Sequence, residues 1–308
     1  MRDNQMSRYG AIAKALPNRG PQGKVFFVIP AGVDYLGDFE AAFPTDGDGV
    51  VRVYTTIQDA HDDGVSSARG DVILAAPGTY VENVTISKDN VSLISTGISG
   101  NSKRVAIAPT SGIALTVGDA LRFQAVGIRT AGVSAVGTRH SGEGAHFEDC
   151  DFTSDTSHGF QFYSSTTTAD YTGSGTTLLR CLFRECGGAG LRHTNDDDVS
   201  HINYGIQATN VNVWGCQFYG NTGDDIDDDA HAGSPTYFNQ WDIAGNKFMT
   251  RNKTVYLDMD GGTISDCLIS GNFFADDVGL DATKIALSTG AVFVGNFQAA
   301  GVVDGSTF

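Results

Sequence analysis

From residue 71 onward the chain is a succession of short apolar segments separated by polar turns. Residues 71–80, 84–86 and 91–94 hold three such segments, rich in Val, Ile and Leu, and each reads as a strand. Three short strands with their turns close one triangular coil. Beyond them the pattern repeats, and a repeat decides the fold before any local propensity does. Its mark is a small residue, one spacer and a large apolar residue. Cys150-Asp151-Phe152, Cys181-Leu182-Phe183, Cys216-Gln217-Phe218, Asn246-Lys247-Phe248 and Asn272-Phe273-Phe274 carry it, with weaker forms at Gly127-Ile128 and Asn296-Phe297. Successive intervals are 23, 31, 35, 30, 26 and 24 residues. The shortest fit a bare three-sided coil, and the longer ones require insertions.

Eight residues after each Phe stands another apolar residue: Phe160, Leu191, Ile226 and Tyr256. From there to the next Cys or Asn the distance varies as 21, 25, 20 and 16. One arc of every coil is therefore constant, and the long loops leave from the rest. Parallel strands stack at ~4.8 Å, which sets like residues above like. The expected interior holds a column of Phe152, Phe183, Phe218, Phe248 and Phe274. Beside it runs a column of Cys150, Cys181 and Cys216 that gives way to a ladder of Asn246, Asn272 and Asn296. The predicted fold is all-β: a single-stranded right-handed parallel β-helix of roughly nine coils over 71–308, about 40 Å long.

The preceding residues differ. Over 25–70 the pattern predicts a capping and docking region: a strand at 25–29, a helical turn at 35–43 and a second strand at 50–53. An amphipathic helix over 55–68 follows, opened by a Thr55/Gln58 capping box and ended by Gly70. Such a helix would cover the N-terminal end of the prism, where strand edges would otherwise be bare. Residues 1–24, rich in Gly, Pro and Asn, read as an extended arm.

Charge sharpens this division. The 308 residues carry a formal net charge of −16. The arm holds Arg2, Arg8, Lys14, Arg19 and Lys24 against Asp3, a net of +4 that leaves −20 for the remainder. Such a body is a poor match for nucleic acid or an anionic membrane, and no apolar run has transmembrane length. The basic arm suits an acidic protein surface, the alternative being a solvated tail. Five cysteines without a CxxC pair or a signal-peptide pattern lead to the expectation of reduced thiols packed in the core and assembly in a cytoplasm.

The N-terminal block is the most specific stretch. It comprises Lys24-Val25-Phe26-Phe27-Val28, Asp46-Gly47-Asp48-Gly49, residues 52–60 and Arg69-Gly70-Asp71-Val72-Ile73-Leu74-Ala75-Ala76-Pro77-Gly78-Thr79-Tyr80. It resembles pectin-lyase-like β-helix proteins of tailed bacteriophages that are associated with the virion. The resemblance is motif-level over 23–95 and architectural beyond. It implies a structural virion protein, most simply one that decorates the head and docks through its arm on the major capsid protein or another virion protein. By analogy with phage fibres and spikes it implies a homo-oligomer, a trimer in the simplest case. A fold does not fix a function.

Candidate chemistry gathers at one corner. Residues 193–231 hold Asp196, Asp197, Asp198, Asp224, Asp225, Asp227, Asp228 and Asp229 without a Lys, flanked by His193, His201 and His231. Three readings compete. Polygalacturonases of the superfamily carry Asn-Thr-Asp, Asp-Asp, Gly-His-Gly and Arg-x-Lys on successive coils. The similar pieces here are Asn195-Asp196-Asp197, Asp224-Asp225, His231 and Arg251-Asn252-Lys253. His231 follows Asp225 too closely to reach the next coil, and a polyanionic substrate would meet like charge. Asp224, Asp225 and His231 are thus the catalytic set of an alternative function, a tailspike-like protein that binds or degrades a surface glycan. Clustered carboxylates also suit Ca²⁺, with Asp196, Asp197, Asp198, Asp227, Asp228 and Asp229 as donors. The third reading is a solvated acidic surface with no cofactor, in which Arg192 and Asp227 form an ordinary cross-strand pair.

Overall fold

The computed structural model describes residues 23–67, 69–97, 105–163, 173–194, 207–229, 237–251, 253–259, 263–276, 280–281, 284–287, 290–299 and 301–303. Three long sheets wrap a single interior. The first has 11 strands, from Val53–Tyr54 and Val25–Val28 through Val72–Ala75 to Ala291–Val294. The second has 10, from Gly78–Tyr80 to Asn296–Gln298, closed by the antiparallel strand Gly301–Val303. The third has 8, from Val84–Ile86 to Ile285–Leu287. The chain visits them in turn and completes nine coils, the last without a described strand in the third sheet. This is a right-handed parallel β-helix. A short fourth sheet, Gln207–Thr209, Tyr237–Asn239 and Thr263–Ser265, lines part of the variable arc. Among the described residues no helix is long and apolar enough to cross a membrane.

The core follows the repeat. Phe152, Phe183, Phe218, Phe248 and Phe274 are buried, with ring centroids 5.1, 4.7, 4.9 and 4.6 Å apart in succession. The corner between the first and second sheets is a single residue in left-handed backbone. Seven coils carry it, at Gly127, Asp149, Arg180, Gly215, Gly245, Gly271 and Gly295, with φ between 52° and 69°. Glycine reaches that region without strain, which suits the four C-terminal corners.

Just after that corner stand the cysteines and asparagines, and they do one job. The Sγ atoms of Cys150, Cys181 and Cys216 face the carbonyls of Ala125, Phe147 and Leu178 in the coil below, at 3.6, 3.4 and 3.3 Å. The Nδ2 groups of Asn246, Asn272 and Asn296 donate to the equivalent carbonyls of Val213, Ile243 and Ile269, at 2.8, 2.8 and 2.9 Å. Asparagine adds an acceptor. Asn272 Oδ1 receives both the backbone N–H and the Nδ2 of Asn246, and Asn296 Oδ1 does the same for Asn272. Asn246 Oδ1 takes the N–H of Cys216, joining the two columns.

The N-terminal region differs in detail from the pattern-based expectation. The helix starts at Ile57, not Thr55, because Thr56 caps it by accepting from Asp59 N. Glu82 adds a cap from the first coil, accepting from Ile57 N and Gln58 N at 2.8 and 3.0 Å. The helix widens over Ala60–Gly64, where Val65 N reaches back to Ala60 O, and it ends there instead of near Gly70. Ile57, Ala60 and Val65 join Phe26 and Ile73 in the main core, so this segment covers the prism's end. A second apolar layer forms on the outer face of the first sheet. There Leu36–Ala42 brings Phe39, with Phe43, against Phe27, Leu74 and Val72.

Asn272→Leu keeps the volume but strands its amide and carbonyl neighbours on both adjacent coils. Equilibrium denaturation is expected to show a loss of about 3–5 kcal/mol. A loss below 1 kcal/mol would show that the ladder is incidental.

Candidate acidic site

The chain enters the third sheet past a second tight corner, held on three successive coils by Gly137, Gly159 and Gly190. A Cβ at Gly159 would lie 2.8 Å from Cys186 Sγ and 2.9 Å from Gly190 O, and one at Gly190 would lie 2.8 Å from Asn221 Nδ2. One coil further on the equivalent residue is Asp225, and its side chain turns inward. Asp225 is fully buried, and its Oδ1 accepts from Lys253 Nζ at 2.5 Å and Asn221 Nδ2 at 3.0 Å. Lys253 is itself buried. It lies in an arc one residue longer than its predecessors: Ile226 pairs with Leu257, not with Tyr256 as the eight-residue spacing predicts. Tyr256 O instead accepts from both Asp225 N and Ile226 N. The next coil repeats the device. Asp276, fully buried, pairs with Lys284 at 2.6 Å and lies 3.3 Å from the Tyr256 hydroxyl.

Asp224 and Asp225 do not form a carboxylate pair: the chain bends at Asp225, which is enclosed together with Ile226 after it, while Asp224 is only half-buried. Outside, Asp224 meets Asp227 and Asp258, all half-buried, with one carboxylate oxygen of each within 4.8 Å of the others. Asp227 and Asp258 are register partners, and Arg192 lies one coil below with its Nε 3.8 Å from Asp227 Oδ2. Desolvation pushes the Asp224 carboxyl up to about 6, helped by the charges of Asp258 and Asp225 and opposed by Lys253. Burial likewise raises Asp225, against the pull of Lys253. Three carboxylates at this spacing can hold a hard cation. Asp224 has the raised pKa that suits a general acid.

The other residues singled out in the sequence separate clearly. Asp196, Asp197, Asp198 and His231 lie outside the described residues, as do Arg2, Arg8, Lys14 and Arg19 of the arm. Asp228 and Asp229 continue the strand Ile226–Asp229, their side chains outside the description. Lys24, counted with the docking charges of the arm, turns onto its own chain. Its ammonium pairs with Asp46 at 2.5 Å and Asp48 at 2.7 Å, and its backbone N–H donates to the buried Asp71 at 2.7 Å. His193 sits among Phe162 and Trp241, and desolvation lowers it to about 3, so it is a neutral core residue. All five thiols are free and buried. Asp258 was not among the sequence candidates. The alignment of Leu191, Ile226 and Leu257 places it beside Asp227, but only once the one-residue slip is known.

Fold and site together define a right-handed parallel β-helix with an acidic corner. Solved structures agree on the fold. The pectate lyase Pel9A superposes with a TM-score of 0.52 at 12% identity, covering 93% of this chain and 77% of its own. An alginate lyase from Paenibacillus sp. str. FPU-7 gives 0.56 at 12% identity, with 90% and 96% covered. ORF18 of Geobacillus virus E2 gives 0.42 at 18% identity, with 86% and 61% covered, too distant to carry an argument. No protein-family model and no curated protein sequence matches the chain. At these identities the likeness establishes the fold alone.

The raised Asp224 makes a signed prediction. Its folded value of about 6 lies above the ordinary carboxylate value of 3.8, so keeping it ionised costs stability at neutral pH. That cost fades as pH falls through 6 towards 4. Asp224→Asn is expected to stabilise the protein by about 1 kcal/mol at neutral pH, the group being half solvated. Thermal melts across pH check this: the gain should vanish below about pH 4, and a variant destabilised at neutral pH contradicts it.

Proposed function

We propose that this chain is a structural protein of a tailed-phage virion, a head decoration protein that docks through its basic arm on the major capsid protein or another virion protein. The observation that carries the non-catalytic part is the fate of Asp225. The second member of the carboxylate pair that glycan hydrolysis would use is enclosed in the core and neutralised by Lys253. The virion assignment is supported by the resemblance of the N-terminal block. In the structure that block builds the cover of the prism and the apolar layer on its outer face, directly after the arm. An acidic body joined to a basic arm favours docking by the arm. Deleting residues 1–22 leaves Lys24, Asp46, Asp48 and Asp71 in place. The truncated protein is expected to keep its circular dichroism spectrum and melting temperature while losing co-sedimentation with phage heads. Undiminished co-sedimentation sinks the arm-docking reading.

A second reading, a tailspike-like protein that binds or degrades a surface glycan with Ca²⁺ at its acidic corner, is favoured by one observation: Asp224, Asp227 and Asp258 converge with Asp224 held near pH 6. Under this reading Ca²⁺ raises the melting temperature of the wild type but not of Asp258→Asn. A calcium response equal in both, or absent from both, removes it.

A further inference from the structure

The outer face of the prism changes character along its length. On the middle coils, the first and second sheets present a lattice of charges. Arg180 pairs with Asp149 at 3.0 Å and also contacts Glu148, and Arg184 pairs with Asp151 at 3.0 Å and Glu185 at 3.2 Å. On the last four coils this stops. Among the strands of those coils in the two sheets, from Asn212–Trp214 to Asn296–Gln298, the only charged residues are Asp242 and Lys247, of opposite sign. Several outward positions are instead apolar, beside polar ones at Asn212, Gln217 and Ser270. Leu268, Val292 and Val294 stand on the first sheet, and Tyr219, Met249 and Phe297 on the second, with Val292 57% and Phe297 46% exposed. Leu268 and Val292 are register partners, so the apolar face spans the last two coils of the first sheet, the same column holding Asp242 one coil earlier.

Between the two flanks runs a ridge of Gly215, Gly245, Gly271 and Gly295. A Cβ added at Gly245 or Gly295 would meet nothing within 4 Å, so the ridge is bare and another backbone can approach it closely. At the opposite end of the prism the same outer face is also apolar, at Phe27, Leu74 and Val72, and the chain covers it with its own Phe39 and Phe43. Among the described residues nothing covers the C-terminal counterpart. Contiguous exposed apolar surface of this kind marks an association site.

We propose that this face, centred on Val292, Val294 and Phe297, is where copies of this chain associate with one another. Charge selects the occupant. With a net charge of −16, two copies repel across most of their surfaces. Among the described strands of the C-terminal face only Asp242 and Lys247 are charged, so copies meet there with few like charges opposed. A basic partner would be drawn instead to the acidic corner on the third sheet. The association is therefore driven by apolar burial and is insensitive to salt, or strengthened by it as the distant repulsion is screened.

Sedimentation velocity of the full chain over a range of concentrations tests this at low and high salt. The wild type is expected to run as an oligomer at both. Val292→Asp and Phe297→Asp are expected to weaken association at least tenfold, with unchanged circular dichroism, while Val81→Asp, at an exposed apolar position on the first coil, leaves it intact. If the Asp variants fold poorly, Val292→Cys supplies a second measurement. All five native thiols are buried, so a short bismaleimide should link copies through position 292 and not through Val81→Cys. A wild type that is monomeric throughout, as expected if the face receives a different protein or a lipid surface, overturns the proposal. So does an oligomer indifferent to both Asp variants, or equal cross-linking from both thiol positions.

Discussion

Where the first sheet meets the second, the chain turns in one residue, and the peptide groups beside that residue look along the prism axis for partners. The Cys and Asn side chains meet that need in the coil above or below, and the remaining structure depends on it. A coil that slipped by one residue would lose these bonds and turn its Phe outward. The hydrogen bonds at the corner and the stacked rings in the core therefore enforce the same register. Cysteine suffices where a single weak contact to the carbonyl below closes the corner. Asparagine, with donor and acceptor on one small group, links three coils at once. The columns change from one to the other at Asn246, where Asn246 also takes the N–H of Cys216.

Register also decides where charge can go. In-register stacking sends alternate residues in and out, so an acidic sequence is sorted into two populations. Asp71, Asp225 and Asp276 are enclosed, each beside a cation. Asp224, Asp227 and Asp258 converge outside the core, and the Asp258 charge helps raise Asp224. The same sorting leaves the last four coils with almost no outward charge on two sheets. The prism thus has a chemically distinct side at each level: a covered apolar layer at the N-terminal end, ion pairs in the middle, an acidic corner on the third sheet, and a bare apolar ridge towards the C-terminal end.

Much of this was written in the sequence at repeat scale. The Phe column, the Cys column and the Asn ladder follow from spacing, because each residue type recurs where the coil needs it. The extra residue before Leu257 was hidden, since Tyr256 stands at the expected interval and is itself apolar and buried. The cap was misplaced by one residue because Thr55 and Thr56 are equally good caps, and Glu82, distant in sequence, is what fixes the choice. The acidic run suggested a patch, yet the bend at Asp225 encloses that carboxylate beside Ile226 and leaves Asp224 half-buried. Nothing local marks Lys253 as the cation that encloses Asp225, because that partnership arises from stacking between coils, whereas Lys284 reaches Asp276 from eight residues away in the same coil.

The lyases that share this fold show that a parallel β-helix can carry catalysis, while the corner of this chain has placed its would-be catalytic carboxylate inside the core. In the reading proposed above, the ladder-locked prism associates through one end, docks by the other and serves as a building element. Turnover tests that claim most directly. The purified protein, incubated with polygalacturonate, alginate and host surface polysaccharide in the presence of Ca²⁺ from mildly acidic to mildly alkaline pH, should release no reducing ends and no unsaturated product. Sustained release that disappears with Asp224→Asn would show that the acidic corner is an active site and contradict the account.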